Sequence, residues 1–144
     1  MRILARAKVN WALNVLGPLP GGYHELDMLM ESVTLCDELA AHPGEELTLT
    51  VDGRPAGLEN LVLRAGSLLR ARYGISRGAR MELAKRIPAR AGLGGGSADC
   101  AAALILLSRL WALPVGGEEL SGLALELGAD VPFCLRGGRA RVTG

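Results

Sequence analysis

Four of the five residues from Gly92 to Gly96 are glycine, and they lie between two segments of different character. Residues 79–87 alternate partly between apolar and polar side chains, as a half-buried strand does. Residues 100–107 are continuously apolar and rich in Ala and Leu, which favour a helix. Glycines at a strand-to-helix junction let a ligand approach the backbone, and the N-terminus of a helix attracts anions. The sequence therefore predicts a phosphate-binding loop within Pro88–Asp99.

Two common phosphate-binding motifs do not account for this loop. The Walker A motif continues with Lys-Ser or Lys-Thr after its last glycine, whereas Ser97-Ala98 follows here, so that class is excluded. The stretch Gly92–Ser97 comes close to the dinucleotide-binding pattern, but the acidic residue expected about twenty positions later is missing near residues 114–117. A slack glycine linker is disfavoured because Pro88 stiffens one end and the helix anchors the other.

Three other short motifs contain residues that can do chemistry. They are Ala7-Lys8-Val9-Asn10, Gly22-Tyr23-His24-Glu25-Leu26 after a Gly/Pro-rich turn, and Gly128-Ala129-Asp130-Val131-Pro132 after a helix. Taken alone, Lys8 is a solvated lysine, the Tyr-His pair is structural, and Asp130 is a turn residue. Together with the glycine loop, however, the three motifs form a known pattern.

Pro88 and the stretch Gly92–Ser97 resemble the phosphate loop of the GHMP kinases, small-molecule kinases named after galactose, homoserine, mevalonate and phosphomevalonate. The motifs around Lys8 and Asp130 are similar to two further signatures of that family, and Gly-Tyr-His-x-Leu resembles a branch whose substrate carries a cytidine group. The resemblance implies an α+β fold, with a mixed or antiparallel sheet and helices, similar to the second domain of ribosomal protein S5. It covers residues 1–144 as the N-terminal, ATP-binding domain, and the C-terminal GHMP domain is expected to be absent from this chain.

The resemblance implies ATP-dependent phosphorylation of an alcohol, with ATP and Mg²⁺ as cofactors and no metal ligand assigned within this chain. Lys8 would lie beside the hydroxyl to be phosphorylated, and Asp130 would act as the catalytic base. Asn10 would contact the substrate, Tyr23 would stack on cytosine, and His24 would hydrogen-bond the edge of the base. The residues that would bind ATP are Pro88, Ala89, Arg90, Ala91, Gly92, Leu93, Gly94, Gly95, Gly96, Ser97 and Ala98.

The chain departs from the residues that are usual in the family at several positions. Arg90 stands where a glycine is usual, and Ala98 replaces a second serine whose hydroxyl would be available to Mg²⁺ or to the ATP phosphates. Leu19 and Gly21 stand where a basic residue and an aspartate are usual. Asp99 follows the loop directly, and we expect its carboxylate to point away from bound phosphates because the like charges repel.

Periodicity and turn residues predict the elements that must position these motifs. Strands are predicted in residues 2–15, 28–39, 47–51 and 79–87, with a turn at residues 52–55. Helices are predicted in residues 60–73, with Asn60 as its cap and Gly74 as its stop, in residues 97–113, and in residues 118–127 before Gly128. Residues 134–142 are predicted as a strand with a turn at Gly137-Gly138. In the family's fold, the charged groups of Lys8 and Asp130 should approach to about 4 Å beside the glycine loop.

Composition excludes several other classes of function. Hydrophobic residues make up 49% of the 144 and charged residues 22%, which predicts one globular domain with a core. A net charge of +1 and 3% aromatic residues give no case for binding nucleic acid or an anionic membrane. Cys36, Cys100 and Cys134 have neither disulfide-framework nor zinc-site spacing, and they indicate thiols in a reducing cytoplasm.

Two alternatives stay open. The first is another GHMP kinase that acts on a different alcohol, against which the Gly22-Tyr23-His24 motif argues. The second is a non-catalytic nucleotide-binding fragment, because half of the family's kinase is expected to lie outside this chain. The oligomeric state, including a homodimer, is left open by the sequence.

Overall fold

The computed structural model describes residues 1–18 and 24–143, which form one mixed sheet and four helices. The strands are β1 (Arg2–Pro18), β2 (His24–Gly44), β3 (Leu47–Val51), β4 (Arg54–Pro55), β5 (Gly78–Ala84) and β6 (Arg139–Thr143). The helices are α1 (Leu61–Tyr73), α2 (Gly95–Leu110), α3 (Gly117–Leu127) and α4 (Val131–Arg136). The sheet order is β1-β2-β5-β3-β4, and β6 also pairs with β2. Only β3 and β5 pair in parallel among the described strands, and the predicted α+β class with a mixed sheet is confirmed.

The long strand β2 organises the sheet because it has partners along both edges. One edge pairs with β1 over almost its whole length. On the other edge, residues 27–31 pair with β6 and residues 38–44 pair with β5. Residues 32–37 therefore lie in the gap between these two partners, and their edge of the strand is free to contact other groups.

The core lies between one face of the sheet and the helices. On β5, Ala79, Met81 and Leu83 are buried while the residues between them are exposed, so one face is covered. Helix α2 is the central helix, since it packs against β1, β2 and the other three helices. Trp111, just after α2, is 2% exposed, and its indole N–H donates to the Gly78 carbonyl at 3.1 Å. Within residues 1–18 and 24–143, no helix is both long enough and apolar enough to cross a membrane.

Local signals identify both ends of α1 correctly. The Asn60 side chain accepts a hydrogen bond from the Val62 N–H at 2.9 Å, which caps the first turn. Gly74 closes the helix in the left-handed conformation, with φ of 61°. The predicted cap and stop of this helix are both confirmed.

Two predicted elements need correction. Helix α2 spans Gly95–Leu110 and not residues 97–113; it ends early because Ala112 adopts a positive φ of 52°, which a helix cannot continue. The strand predicted from residue 134 is wrong at its start, because Cys134 lies in α4. Pro132 in the first turn of α4 favours a helix start, since proline has the helical φ and lacks an N–H that would stay unpaired there.

Candidate active site

The predicted glycine loop leads directly into the N-terminus of α2. Gly94 is the N-cap residue, with φ of 67° and ψ of 21°, and Gly92 also has a positive φ of 72°. Glycine adopts these left-handed angles at little cost, which explains its use here. By their place in the first turn, the N–H groups of Gly95, Gly96 and Ser97 have no acceptor within the helix. The loop therefore presents backbone donors and the positive end of a helix dipole to an anion.

Lys8 of β1 is held against this loop. Its backbone N–H donates to the Leu93 carbonyl at 2.9 Å, and its side chain is only 7% exposed. The approach is so close that a Cβ added to Gly94 would lie 2.8 Å from Lys8 Cγ. Ala7 and Lys8 are both buried, so the usual alternation of inward and outward side chains is interrupted at the β1–β2 register shift.

The ammonium group of Lys8 lies 3.2 Å from the Asp130 carboxylate. It also donates to Asn10 Oδ1 at 3.2 Å. Asp130 lies at the N-cap position of α4, yet its side chain makes no capping hydrogen bond within the described residues. The carboxylate is 34% exposed, so it can reach a bound molecule. The structure thus brings together the two residues that the sequence pairs as catalytic groups, beside the glycine loop.

An open cleft of about 460 Å³ runs along the loop. Residues 88–97 form one wall, and the apolar side chains of Val51, Leu61, Leu83 and Ile87 line the rest together with Asn60, Lys85 and Asp99. This volume lies within the range of small-molecule sites, roughly 300–1,000 Å³. A cleft with polar backbone on one side and apolar side chains on the other suits a molecule that carries both phosphates and a flat base.

Two residues of the predicted ATP site have unexpected surroundings. Ala98 is 2% exposed, belongs to the hydrophobic core, and donates its N–H to the Gly94 carbonyl at 2.9 Å. Its side chain and N–H are therefore turned away from the cleft, and the predicted contact of Ala98 with ATP is not supported. Arg90 is exposed and adopts a positive φ of 57°, which explains why glycine suits this position.

The predicted contacts to the alcohol substrate fall at the edge of the described chain. Asn10 is exposed next to Lys8 and accepts its hydrogen bond. Tyr23, together with Leu19 and Gly21, lies outside the described residues. His24 begins β2, where its backbone pairs with Pro18. The roles of Tyr23 and His24 therefore stay predictions.

Three charged residues that were not identified from the sequence, Asp37, Lys85 and Asp99, form a cluster that we call the buried triad, because both of its carboxylates are buried. Lys85 is 25% exposed, and Lys85 and Asp99 are among the residues that line the cleft. Lys85 Nζ lies 2.5 Å from Asp37 Oδ2 and 2.6 Å from Asp99 Oδ2. Burial opposes the charge on Asp37, but hydrogen bonds from the Arg86 and Ile87 N–H groups and from Lys85 outweigh it and lower its pKa. Burial raises the pKa of Asp99 to about 7, and Lys85 offsets only part of that effect. Asp99 lines the cleft, with its Oδ2 paired to Lys85, so its expected orientation away from bound phosphates stays a prediction.

The fold and the glycine loop at the N-terminus of α2 can be compared with those of known families. Residues 60–138 match the model of the GHMP kinases N terminal domain, and the chain belongs to this family. A curated relative from Pelotomaculum thermopropionicum, a 4-diphosphocytidyl-2-C-methyl-D-erythritol kinase, is 50% identical over 145 residues, covering 98% of this chain and 50% of the relative. A relative with the same name from Symbiobacterium thermophilum is 47% identical over 148 residues, covering 100% of this chain and 52% of the relative.

Solved structures agree with this assignment. A crystal structure of 4-(cytidine 5'-diphospho)-2C-methyl-D-erythritol kinase is 45% identical, with a TM-score of 0.85 over 100% of this chain and 52% of that chain. The mevalonate kinase of Methanococcus jannaschii is 14% identical and shares the fold, with a TM-score of 0.78 over 99% of this chain and 53% of that one. The chain spans about half the length of the curated relatives it matches.

Proposed function

We propose that the protein transfers the γ-phosphoryl group of ATP to the 2-hydroxyl of 4-diphosphocytidyl-2-C-methyl-D-erythritol, a step of non-mevalonate isoprenoid biosynthesis. The observation that carries this proposal is the Lys8–Asp130 ion pair, at 3.2 Å, on a lysine that is bound to the glycine loop. The particular alcohol is taken from the names of relatives that are 42–50% identical to this chain. The reaction is placed in the cytoplasm, where ATP is available and the three free cysteines stay reduced.

ATP would lie along the cleft with its phosphates at the N-terminus of α2. The free N–H groups of Gly95, Gly96 and Ser97 would donate to the phosphate oxygens. The base would lie against the apolar wall that includes Leu61 and Leu83. In this orientation the γ-phosphoryl group is directed toward Lys8, which lies against the same loop.

Asp130 would accept the proton of the attacking hydroxyl as the oxygen bonds to the γ-phosphorus and ADP leaves. Lys8 would stabilise negative charge on the hydroxyl oxygen and on the transferred phosphoryl group, since its ammonium is already held in place by Asp130 and Asn10. This pre-organisation means that little rearrangement is needed when the substrate binds.

Mg²⁺ would enter the site on the ATP phosphates and not in a protein cage. In the described part of the chain, no three His, Cys, Asp or Glu side chains come close enough together to hold a metal ion. Mg²⁺ usually keeps several waters and binds through substrate phosphates with one or two carboxylates. A site without a cluster of three protein ligands is therefore compatible with Mg²⁺. When bound, the ion would neutralise part of the phosphate charge.

A substrate panel with the full-length protein tests the proposed function. ATP is supplied together with 4-diphosphocytidyl-2-C-methyl-D-erythritol (the cytidylyl alcohol), galactose, homoserine or mevalonate, and the phosphorylated product is measured. We expect product from the cytidylyl alcohol alone. Preferential turnover of another alcohol would assign a different GHMP kinase activity. ATP binding without turnover of any of these alcohols would leave a nucleotide-binding role, the second candidate.

We predict that His24→Ala raises the KM for the cytidylyl alcohol and leaves the KM for ATP unchanged. Loss of one hydrogen bond to a buried polar edge costs about 1–3 kcal/mol. Steady-state kinetics with each substrate varied in turn measures this effect. His42→Ala is the matched control, because His42 is exposed near the opposite end of β2 and should change neither KM. An effect on ATP alone would contradict the cytosine contact.

A further inference from the structure

The buried triad joins three elements that surround the glycine loop. Asp37 lies on β2 at the gap between β5 and β6, and it is completely buried. Lys85 directly follows β5, and Asp99 lies in the second turn of α2. One ammonium group therefore connects the sheet to the helix whose N-terminus forms the phosphate site.

Asp37 also fixes the backbone that leads into the loop. Its Oδ1 accepts hydrogen bonds from the Arg86 N–H at 2.5 Å and the Ile87 N–H at 2.8 Å, immediately before Pro88. Ile87 is 3% exposed and packs so near the loop that a Cβ on Gly95 would lie 3.0 Å from its Cγ2. The triad thus holds the chain on both sides of the loop, at residues 85–87 before it and at Asp99 after it.

The geometry makes Lys85 a poor direct ligand for phosphate. Its ammonium lies within 2.6 Å of two carboxylates, which already use its charge. Burial opposes the charge on Lys85, but the hydrogen bonds that its ammonium donates to Asp37 and Asp99 outweigh burial and raise its pKa. With both carboxylates ionised, the triad carries a net negative charge at the cleft, which would weaken the binding of an anion.

We propose that Lys85, clamped between Asp37 and Asp99, is a positioning residue that sets the distance between the two sides of the glycine loop and thereby its affinity for ATP phosphates. This inference rests on the proposed function, because it takes ATP as the ligand of the loop. In this proposal, side chains on β2, on α2 and on the segment after β5 together support the loop.

Protonation of Asp99 gives this arrangement a pH signature. Asp99 is 4% exposed, and its Oδ1 has no hydrogen-bond partner among the residues that the structure describes. Asp37 and Lys85 face it directly. Further charged groups on the elements packed around α2 are Lys8 on β1, Arg64 on α1 and Asp130 before α4. The charges of Lys8 and Asp130 neutralise each other, and Arg64 is exposed to water. The protonation of Asp99 is therefore controlled mainly by Asp37 and Lys85.

Because the pKa of Asp99 is raised to about 7, the folded protein holds this proton more tightly than the unfolded chain does. The stabilisation from this proton is complete below about pH 4 and is lost as the pH rises through about 7. Loss of the proton also takes the triad from neutral to a net charge of about −1 below the phosphate site. ATP affinity should therefore fall, by about three- to tenfold, between pH 6 and pH 8.5.

Asp99→Asn tests this signature with little change of shape. The dissociation constant for ATP, without acceptor alcohol, is measured by calorimetry on the full-length protein from pH 6 to pH 8.5. The ionisation of ATP itself is the same in both experiments, so a difference in pH dependence between the two proteins comes from the triad. We expect the variant to lose the three- to tenfold dependence of the wild type and to gain thermal stability relative to it at pH 8.5. Equal pH dependence of ATP affinity in the two proteins would overturn the proposal.

Lys85→Met tests the clamp itself. We expect the dissociation constant for ATP to rise by about tenfold or more at temperatures well below unfolding, with kcat at saturating ATP changed much less. Arg80→Met is the control, since Arg80 is exposed on β5 and the charge change is the same. A lower melting temperature with unchanged ATP affinity would mean a purely structural role and would overturn the proposal. If Lys85→Met does not fold, the Asp99→Asn profile decides. Wild-type protein that does not bind ATP would instead remove the proposed function itself.

Discussion

Replacing Asp130 by asparagine is expected to slow phosphoryl transfer by about 10²–10⁴-fold, the usual cost of losing a general base. The amide keeps the shape of the side chain but cannot accept the proton of the attacking hydroxyl. ATP affinity should stay near the wild-type value, because the carboxylate pairs with Lys8 and is not among the residues that line the cleft along the glycine loop. Single-turnover transfer measures the chemical step without product release.

The alternative role for Asp130, closing the turn before α4, predicts a different result. The turn is held by backbone hydrogen bonds, from the Val131 N–H to Gly128 and from the Cys134 N–H to Asp130, which the substitution keeps. Glu126→Gln provides a control, since Glu126 makes an exposed ion pair with Arg72 and its loss should change neither rate nor stability by much. A folded Asp130→Asn variant with the rate of the control would end the general-base assignment.

The part of the site that follows from the sequence is the part carried by short, local motifs. The glycine loop carries a local physical signal, its glycines before a helix, whereas Lys8 and Asp130 were singled out by the resemblance of their motifs to the family. Only the fold brings Lys8 and Asp130 close together, because they are 122 positions apart in the sequence (130 minus 8). The family pattern provided that link.

The buried triad had no such signal. Lys85 occurs in a partly alternating stretch, where a lysine normally faces water, and its partners lie 48 and 14 residues away. Only the gap in the edge of β2 shows that Asp37 can reach the backbone of Arg86 and Ile87. Burial of charge depends on such tertiary contacts, so local sequence patterns do not predict it.

The errors in secondary structure have the same origin. Cys134 and Leu135 are apolar and fit a strand pattern, but Pro132 in the first turn of α4 favours a helix there. The helix predicted to extend to residue 113 ends at Leu110, because Ala112 adopts a positive φ of 52° just after Trp111, which is buried in the core and donates to Gly78. Tertiary context of this kind overrides local helix propensity.

Gly94→Ala is expected to have the second large effect, a fall in kcat of about 10²-fold. Two physical reasons combine at this position. An L-residue in the left-handed region costs about 1–2 kcal/mol, and the new Cβ would lie 2.8 Å from Lys8 Cγ. Lys8 is buried and fixed by Asp130 and Asn10, so the methyl group must displace the ammonium or the loop. A displacement of about 1 Å is enough to cost that factor in rate.

Gly74→Ala separates backbone strain from displacement of Lys8. Gly74 has nearly the same φ, 61° against 67°, but a Cβ there would meet nothing within 4 Å in the described part of the chain. Both variants should therefore lose the stability that the left-handed strain costs, Gly94→Ala somewhat more because of its contact with Lys8, and only Gly94→Ala should lose catalytic rate. Thermal unfolding and single-turnover kinetics on the two proteins compare these quantities. Equal rates in the two variants would show that the contact between Gly94 and Lys8 does not matter for catalysis, and Lys8 would then lose its place in the proposed mechanism.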